Sequence, residues 1–238
     1  MREVLLATDL DGTLVGDDEA LASLNVSLSH LRTANQLKLV YVTGRSPELF
    51  EDLKRSKGLL EPDALITAVG TEIYLGGKRL AYWPNINDWD EESIRSIVSG
   101  YKDLIEQPKS EQREHKVSYF YEGNPLIVDE VRKALGPNYD VIYSGNLYLD
   151  VLPSGVNKGS AIEFLYNFWQ LPMTGVIACG DSENDIAMLE RYKAIIVGNA
   201  NQELMKWYEQ NKNPEIYVAK GNQANGLIEG LSHFDVLV

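Results

Sequence analysis

The chain has 238 residues, which is enough for one large α/β domain or for a core domain with a smaller second one. It carries 22 Lys and Arg against 35 Asp and Glu, a formal net charge of −13. A surface this acidic repels nucleic acid and anionic membranes, so we expect neither as a partner. A single cysteine cannot form an internal disulfide, and no apolar run approaches the ~20 residues of a membrane span or resembles a signal peptide. We therefore expect a cytoplasmic protein.

Five apolar runs of strand length alternate with helix-like segments along the chain. Runs with few polar interruptions are typical of strands that are buried on both faces, as in a parallel sheet covered by helices. Ser46 as N-cap and Pro47 as first helical residue predict the start of one such helix. The runs are residues 4–8, 37–42, 64–69, 176–179 and 194–197. The alternation predicts an α/β fold with a doubly wound, Rossmann-like parallel sheet, which binds ligands at the carboxyl ends of its strands.

The middle of the chain has a different pattern, in which helix-like and strand-like segments surround one short turn. A helix starting at Asp88 keeps an apolar period of 3.6 residues as far as Ile105. The next predicted elements are a strand at 116–121, a helix through 127–135, and strands at 140–143 and 147–152 around a Ser144-Gly145-Asn146 turn. This pattern predicts an α+β cap domain, residues 81–153, inserted into a core of residues 1–80 and 154–238. The predicted hinges are Gly76-Gly77 and Pro84 before the insert and residues 153–155 after it.

Two carboxylates, Asp9 and Asp11, follow the first predicted strand. Residues two apart at a strand end point the same way, so both can face one cation or one substrate. Gly12 then allows the sharp turn that the chain needs there. A carboxylate can attack a phosphate ester to form an aspartyl-phosphate, and a second acid can protonate the leaving oxygen and later activate water. The alternative is a turn that only ends the strand.

A second acidic segment, which contains Asp181 and Asp185, follows the predicted strand at 176–179. Acidic groups held at two strand ends repel each other unless a cation lies between them. Oxygen ligands without a Cys or His cluster favour Mg²⁺ over zinc. The alternative is that Ser182 or Asp181 only caps the next helix.

Two further segments place anion-binding groups at helix starts. Thr43, Gly44 and Arg45 follow the strand at 37–42 and precede the helix capped by Ser46, where backbone N–H groups form a ready anion site. Lys158 lies at the start of another predicted helix, against the helix dipole, which indicates a phosphate or a carboxylate beside it. A solvated surface lysine is the alternative.

These four segments, in this order, resemble the motifs of the haloacid dehalogenase-like hydrolase superfamily: D-x-D-G-T, then S/T, then K, then G-D-x-x-x-D. The resemblance covers the whole chain, because the predicted insert lies between the second and third motifs, where the C2-type cap of one subclass lies. It implies a Mg²⁺-dependent phosphatase in which Asp9 is the nucleophile and Asp11 the general acid/base. The implied phosphate-binding residues are Thr43, Gly44, Lys158 and Asn184. The implied Mg²⁺ ligands are Asp9, the backbone carbonyl of Asp11, and Asp181, supported by Asp185.

Other segments closely resemble cyanobacterial and plant sucrose-phosphate phosphatases. They are residues 43–46, 69–74, 115–119, 150–153, 157–159 and 232–235, spread over the core and the cap. This resemblance implies the hydrolysis of sucrose 6-phosphate to sucrose. Residues 146–148 are more apolar than is typical of that family.

Four residues are candidates for contact with the sugar. Glu72 follows the strand at 64–69, and its carboxylate can accept paired hydrogen bonds from vicinal hydroxyls. Lys116 and Ser118 are two residues apart on a predicted cap strand, hence on one face, which a closing cap would bring to the substrate. The alternative for this pair is the solvated face of the cap sheet. Arg45 either reaches the substrate or pairs with a core acid.

Other functions stay open from the sequence. A phosphatase for another sugar or compatible-solute phosphate, such as glucosylglycerol phosphate or mannosyl phosphoglycerate, would use the same core. A phosphomutase would transfer the phosphoryl group to a second sugar. A silent partner of a sugar-phosphate synthase would keep the fold without the chemistry, and an active enzyme could also associate with a sucrose-phosphate synthase. We expect a monomer that acts on a small-molecule sugar phosphate.

Overall fold

The computed structural model describes residues 3–84, 86, 88–171 and 175–237. The strands are β1 (Val4–Thr8), β2 (Leu37–Val42), β3 (Ala64–Thr67), β4 (Glu72–Leu75), β5 (Lys78–Arg79), β6 (Ile105–Glu106), β7 (Val117–Phe120), β8 (Tyr139–Ser144), β9 (Tyr148–Pro153), β10 (Val176–Gly180), β11 (Lys193–Ile196) and β12 (Ile216–Val218). The helices are α1 (Asp18–Thr33), α2 (Pro47–Lys57), α3 (Glu91–Val98), α4 (Pro125–Leu135), α5 (Lys158–Phe168), α6 (Ile186–Leu189), α7 (Gln202–Gln210) and α8 (Gln223–His233). Within the described ranges, no helix combines the length and the apolar character needed to cross a membrane.

The larger of two sheets has eight strands in the order β12-β11-β10-β1-β2-β3-β4-β5. Neighbouring strands pair in parallel from β12 to β3, and the β4–β5 hairpin is added antiparallel at one edge. The predicted parallel core is therefore confirmed. Since the parallel strands run in one direction, the carboxyl ends of β1, β2 and β10 meet at the same edge of the sheet.

Helices cover both faces of this sheet. Successive side chains of a strand point to opposite faces, so Leu6 of β1 packs in one apolar layer and Leu5 in the other. Side chains of α1, α2 and α8 complete the first layer, and side chains of α5, α6 and α7 complete the second. This doubly wound arrangement buries strands on both faces, which explains their continuous apolar sequences.

The smaller sheet has four antiparallel strands in the order β6-β7-β9-β8. Ile94 of α3 and Val131 of α4 pack with the strand residues Val117 and Val151 in a third apolar cluster. All of these elements fall within residues 81–153, the range predicted for an inserted α+β cap. We refer to this range as the cap and to the remainder as the core; the exact boundaries stay a prediction.

One predicted helix is too long. The apolar period from Asp88 to Ile105 predicted a single helix, but α3 ends at Val98, and the Gly100 N–H donates to the Ile97 carbonyl as the chain turns. Leu104 then packs against the same apolar cluster from a loop, and Ile105 belongs to the edge strand β6. The apolar period continued beyond α3 because side chains after the helix, such as Leu104, pack into the same apolar cluster as the helix.

Two loop predictions are also corrected. The predicted strand at 64–69 ends at Thr67, because residues 68–70 form a 3₁₀ turn in which Val69 has φ 59°. Gly76 and Gly77, predicted as a hinge, form the turn of the β4–β5 hairpin with φ 54° and 75°. A two-residue hairpin turn favours positive φ at both positions, so these glycines shape the edge of the large sheet.

Candidate active site

The site begins where two neighbouring strands end. Asp9 follows β1 and Asp181 follows β10, and these strands are hydrogen-bonded with Thr8 opposite Cys179. The Asp9 N–H donates to the Cys179 carbonyl at 3.0 Å, which extends the ladder to the nucleophile position. The pairing of β1 with β10 thus brings together two carboxylates that are 172 residues apart in the chain, as the strand-end argument predicts.

Lys158 lies between two carboxylates at the base of the site. Its Nζ donates to Asp9 Oδ1 at 2.7 Å and to Asp185 Oδ1 at 2.6 Å. The side chain is fully buried at the first turn of α5, which Asn157 caps. Burial lowers the pKa of Lys158, but the charges of Asp185 and Asp9 outweigh it and hold the pKa above its usual value. The two carboxylates therefore favour the charged form of this lysine, and its complete burial excludes the surface-lysine alternative.

Asp185 organises the loop that carries Asp181. Its Oδ2 accepts hydrogen bonds from the backbone N–H groups of Asp181 and Ser182, at 3.0 and 3.1 Å. Because its other oxygen accepts from Lys158, Asp185 joins the β10 loop to α5. Asn184 faces the cavity described below, and Asp185 is completely buried behind it. This geometry suits the supporting role predicted for Asp185.

Gly12 brings the β1 loop against Asp181. Its φ is 82°, and a Cβ built on it would lie 2.5 Å from Asp181 Oδ2. The neighbouring Thr13 hydroxyl donates to Asp181 Oδ1 at 2.8 Å, and the Asn199 amide donates to the Gly12 carbonyl at 2.7 Å. The glycine is thus required both by backbone conformation and by the space that Asp181 occupies.

We expect Gly12→Ala to reduce both the stability of the protein and its turnover of the phosphate ester that the motif resemblance implies. A positive φ alone costs an alanine about 1 kcal/mol, and the contact with Asp181 adds displacement of a site carboxylate. The matched control is Gly58→Ala, since Gly58 has φ 63° but nothing within 4 Å of a built Cβ. Urea unfolding and kcat of both variants separate the two effects. Equal kcat in the two variants would contradict the role of Gly12 in placing Asp181.

Asp11 and Arg45 form a two-pronged ion pair at the cavity floor. Arg45 Nε and Nη2 donate to the two Asp11 carboxylate oxygens, each at 2.7 Å. The hydrogen bond to Asp11 raises the pKa of Arg45. Arg45 was predicted either to reach the substrate or to pair with a core acid, and in the structure it pairs with the core residue Asp11. Thr43 is buried, and its hydroxyl accepts from the Arg45 N–H at 3.1 Å, which fixes the turn before α2.

A cavity of about 770 Å³ separates these core residues from the cap. Arg45 and Lys116 are the cationic side chains among its lining residues, against five carboxylates, so the walls carry excess negative charge. The acidic lining residues are Asp9, Asp11, Glu111, Asp150 and Asp181. A phosphate dianion entering this cavity needs additional positive charge, beyond that of Lys158 below the floor.

The acidic cluster fits a hard divalent cation. Carboxylate oxygens of Asp9, Asp181 and Asp185 lie within 4.8 Å of one another. Burial, with the charge of Asp185, raises the pKa of Asp181 to about 7, and burial raises that of Asp9 well above its usual value, against the opposing charge of Lys158. The raised pKa values mean that the charged forms of these carboxylates are disfavoured, and a cation between them would stabilise those forms. A set of ligands that consists only of oxygen atoms suits Mg²⁺. Both oxygens of Asp185 accept hydrogen bonds, whereas Asp9 and Asp181 each keep one oxygen without a donor among the described residues, so Asp9 and Asp181 are the residues that would hold the cation.

The cap covers the cavity with a polar cluster centred on Asp150. Lys116 Nζ and Ser118 Oγ both donate to Asp150 Oδ1, at 3.3 and 2.5 Å. The two residues therefore share a face, as predicted, and that face is buried, so the solvated-face alternative is wrong. Lys116 and Asp150 line the cavity, whereas Ser118 lies behind them. Its predicted sugar contact is thus replaced by a contact with Asp150.

Glu72 does not line the cavity, contrary to the sugar contact predicted for it. It is 1% exposed and forms two hydrogen bonds with Arg113 of the cap, at 3.0 and 3.1 Å. Glu72 starts β4 opposite Thr67, the last residue of β3, and the Thr67 hydroxyl donates to its carboxylate at 3.0 Å. The Glu72 carboxylate is therefore occupied by a guanidinium and a hydroxyl.

Four residues that shape the site were not predicted from the sequence: Thr13, Gln107, Asp150 and Asn199. Asp150 had a usable signal, because a single carboxylate within the apolar strand β9 needs a buried partner. Thr13 belongs to the first motif, and its hydroxyl beside Asp11 was a candidate that was overlooked. Gln107 and Asn199 lie in loops, and their roles depend on contacts that no local pattern records.

The fold and these strand-end residues define a haloacid dehalogenase-like hydrolase with a cap inserted between the second and third motifs. Residues 2–235 match the family model described as sucrose-6F-phosphate phosphohydrolase. The chain belongs to this family.

The relatives agree with this assignment. A probable sucrose-phosphatase 2 of Arabidopsis thaliana is 36% identical over 97% of this chain and 59% of its own length, so the chain spans about three fifths of that relative. Mannosylfructose-phosphate phosphatase of Agrobacterium fabrum is 29% identical over 97% and 96% of the two chains. The crystal structure of the sucrose-phosphatase of Synechocystis, in complex with sucrose and phosphate, superposes with a TM-score of 0.93 at 35% identity and covers 99% of both chains.

Proposed function

We propose that the chain hydrolyses sucrose 6-phosphate to sucrose and inorganic phosphate, with Mg²⁺ as cofactor. The observation that carries the chemistry is the buried Asp9–Lys158–Asp185 arrangement beside Asp181, at the floor of a cavity that the cap covers. Membership of the family carries the choice of substrate. A cytoplasmic location, a monomeric state and association with a sucrose-phosphate synthase stay predictions.

Asp9 is the nucleophile in this proposal. Lys158 holds Oδ1, and Oδ2 has no hydrogen-bond partner among the described residues, so Oδ2 is the oxygen that attacks phosphorus. As the new oxygen–phosphorus bond forms, the bond from phosphorus to the sugar oxygen breaks and an aspartyl-phosphate results. Mg²⁺ held by Asp9, the Asp11 carbonyl and Asp181 would supply positive charge for the phosphoryl oxygens.

Asp11 moves the protons. It gives a proton to the leaving sugar oxygen and then takes one from the water that attacks the aspartyl-phosphate, which restores the Asp9 carboxylate. Its side chain is 51% exposed toward the cavity, so it can reach a bound ester. In the structure both oxygens of this carboxylate accept hydrogen bonds from Arg45, so Arg45 must release one of them before Asp11 can carry the proton. Thr43, Gly44 and Asn184 complete the proposed phosphate site.

The cap provides the proposed sugar site. Lys116 and Asp150 present a cation and a carboxylate to the cavity, which Gln107 also lines. Such groups form hydrogen bonds with hydroxyls, whereas Phe120 and Tyr148 add apolar surface at the same wall. Closing this wall over the substrate keeps bulk water from the reaction centre.

We expect phosphate release to be fastest from sucrose 6-phosphate and to disappear when a chelator removes Mg²⁺. The comparison set is fructose 6-phosphate, glucose 6-phosphate, mannosylfructose phosphate and an aryl phosphate, each assayed for kcat/KM with Mg²⁺ and with EDTA. Preference for another ester would keep Asp9 as nucleophile and overturn the substrate. An isomerised sugar phosphate without free phosphate would identify a phosphomutase. No reaction with any ester would favour the silent partner of a synthase.

A further inference from the structure

A cluster of four charged side chains joins the edge of the large sheet to a loop of the cap. Glu72 and Arg79 belong to the sheet, and Arg113 and Glu114 belong to the loop that precedes β7. Arg113 pairs with Glu72 at 3.0 Å, and Arg79 pairs with Glu114 at 2.8 Å. The signs are crossed, so each side of the contact contributes one cation and one anion.

Two hydrogen bonds from the large sheet fix the orientation of the Glu72 carboxylate, which can then pair with a cation. The Thr67 hydroxyl and the Tyr74 hydroxyl, both from the same sheet, each donate to Oε2 at 3.0 Å. Arg79 of the sheet is more distant, at 4.0 Å. Arg113 supplies the two remaining hydrogen bonds from the cap, through Nε and Nη2. A buried carboxylate requires such a partner, so the core favours the position of the cap in which Arg113 is present.

Arg113 is tied by its backbone to a residue of the cavity wall. Its N–H donates to the Lys116 carbonyl at 3.0 Å, and the Lys116 N–H donates back to the Arg113 carbonyl at 3.1 Å. The two residues therefore close one narrow turn. The Arg113 side chain reaches down to Glu72, while the Lys116 side chain lines the cavity and pairs with Asp150.

We propose that Glu72 and Arg113 are positioning residues, which set the cap on the core so that Lys116 faces the reaction centre. The proposal rests on the proposed function, in that Lys116 is taken to meet the sugar part of the substrate. Neither Glu72 nor Arg113 touches the substrate. They act through the turn that carries Lys116, and they favour the closed arrangement of cap and core.

A double-mutant cycle tests the pair. We expect Glu72→Gln and Arg113→Gln each to raise KM for sucrose 6-phosphate about tenfold, because loss of a charge-assisted pair reduces the fraction of closed molecules. Arg113 also lies 3.6 Å from Glu48 of α2, a partner that is 75% exposed. The double variant is therefore expected to be no worse than Arg113→Gln alone, since Glu72→Gln removes only the shared pair. Arg113→Lys keeps the charge and should recover part of the loss. The kcat and KM for a small aryl phosphate should change little, because such a substrate needs the core site alone.

Arg95→Gln is the matched control. Arg95 is similarly shielded, with 29% exposure against 21% for Arg113, and is also doubly paired, but its partners Glu91 and Glu106 both lie in the cap. A variant that only loosens the cap should resemble Arg95→Gln. Equal effects of Arg95→Gln and Arg113→Gln on KM would therefore overturn the proposal, and so would additive effects of Glu72→Gln and Arg113→Gln.

A distance measurement makes the proposal independent of the substrate. Spin labels on Asp52→Cys in α2 and Asp129→Cys in α4 report the separation of core and cap, since both side chains are more than half exposed. The natural Cys179 is completely buried and is not expected to react. In this labelled background, Arg113→Gln should lengthen or broaden the distance distribution, and Arg95→Gln should not. An unchanged distribution would overturn the proposal, whereas a lengthened one would support it even if sucrose 6-phosphate were not hydrolysed.

Discussion

Asp9→Asn is expected to abolish phosphate release and to lower kcat by roughly 10⁴-fold or more, as loss of a covalent nucleophile does. Asparagine fills the same volume and can still accept the hydrogen bond from Lys158. The fold should therefore survive, and the loss should be confined to the chemical step. Steady-state phosphate release measures the loss, and urea unfolding checks that the variant is folded.

Asp52→Asn is the control, because it makes the same chemical change at a site 68% exposed on α2. Mass spectrometry of rapidly quenched enzyme adds a direct test, since the wild type should gain one phosphoryl group on the peptide that contains Asp9. Turnover by Asp9→Asn within tenfold of the wild type would rule out the covalent route.

Lys158→Met is expected to have the largest effect on stability, with a loss of about 3–5 kcal/mol together with loss of activity. Removing this cation leaves Asp9 and Asp185 close together and buried without a counter-charge. Urea or thermal unfolding measures the change. Lys206→Met is the control, because Lys206 forms a surface ion pair with Glu203 at 63% exposure, and such pairs contribute about 1 kcal/mol or less.

The double variant Lys158→Met with Asp185→Asn separates charge from packing. Removing one of the two carboxylate charges should restore part of the lost stability, while activity stays absent because Asp9 still lacks its cation. If Lys158→Met were no more destabilising than Lys206→Met, the buried ion pairs of Lys158 would not stabilise the fold.

The core could be predicted from the sequence because its signals are local. The strands β1 and β2 have the predicted bounds, since both are buried on two faces and therefore continuously apolar. Ser46 and Pro47 also predicted the start of α2 correctly. By contrast, α1 and α8 carry mixed sequences on their exposed faces, and neither was predicted, although Leu24 and Leu227 are completely buried.

The site residues that follow strands could likewise be predicted from the sequence, whereas the contacts between core and cap could not. Asp9, Asp11 and Asp181 follow strands, so strand order alone brings them to one edge of the sheet. Glu72 and Arg113 are 41 residues apart, and their contact depends on how the cap lies on the core. No periodicity or motif records that orientation, which is why Glu72 was predicted to contact a sugar.

The excess of carboxylates around the cavity has a consequence for how ligands bind together. A cation placed among these groups makes the cavity more favourable for a phosphate ester, and the ester in turn makes it more favourable for the cation. Thermodynamic linkage requires the two enhancements to be equal at equilibrium. The affinity for substrate should therefore follow the concentration of free divalent cation, and scarcity of either ligand would appear as weak binding of the other.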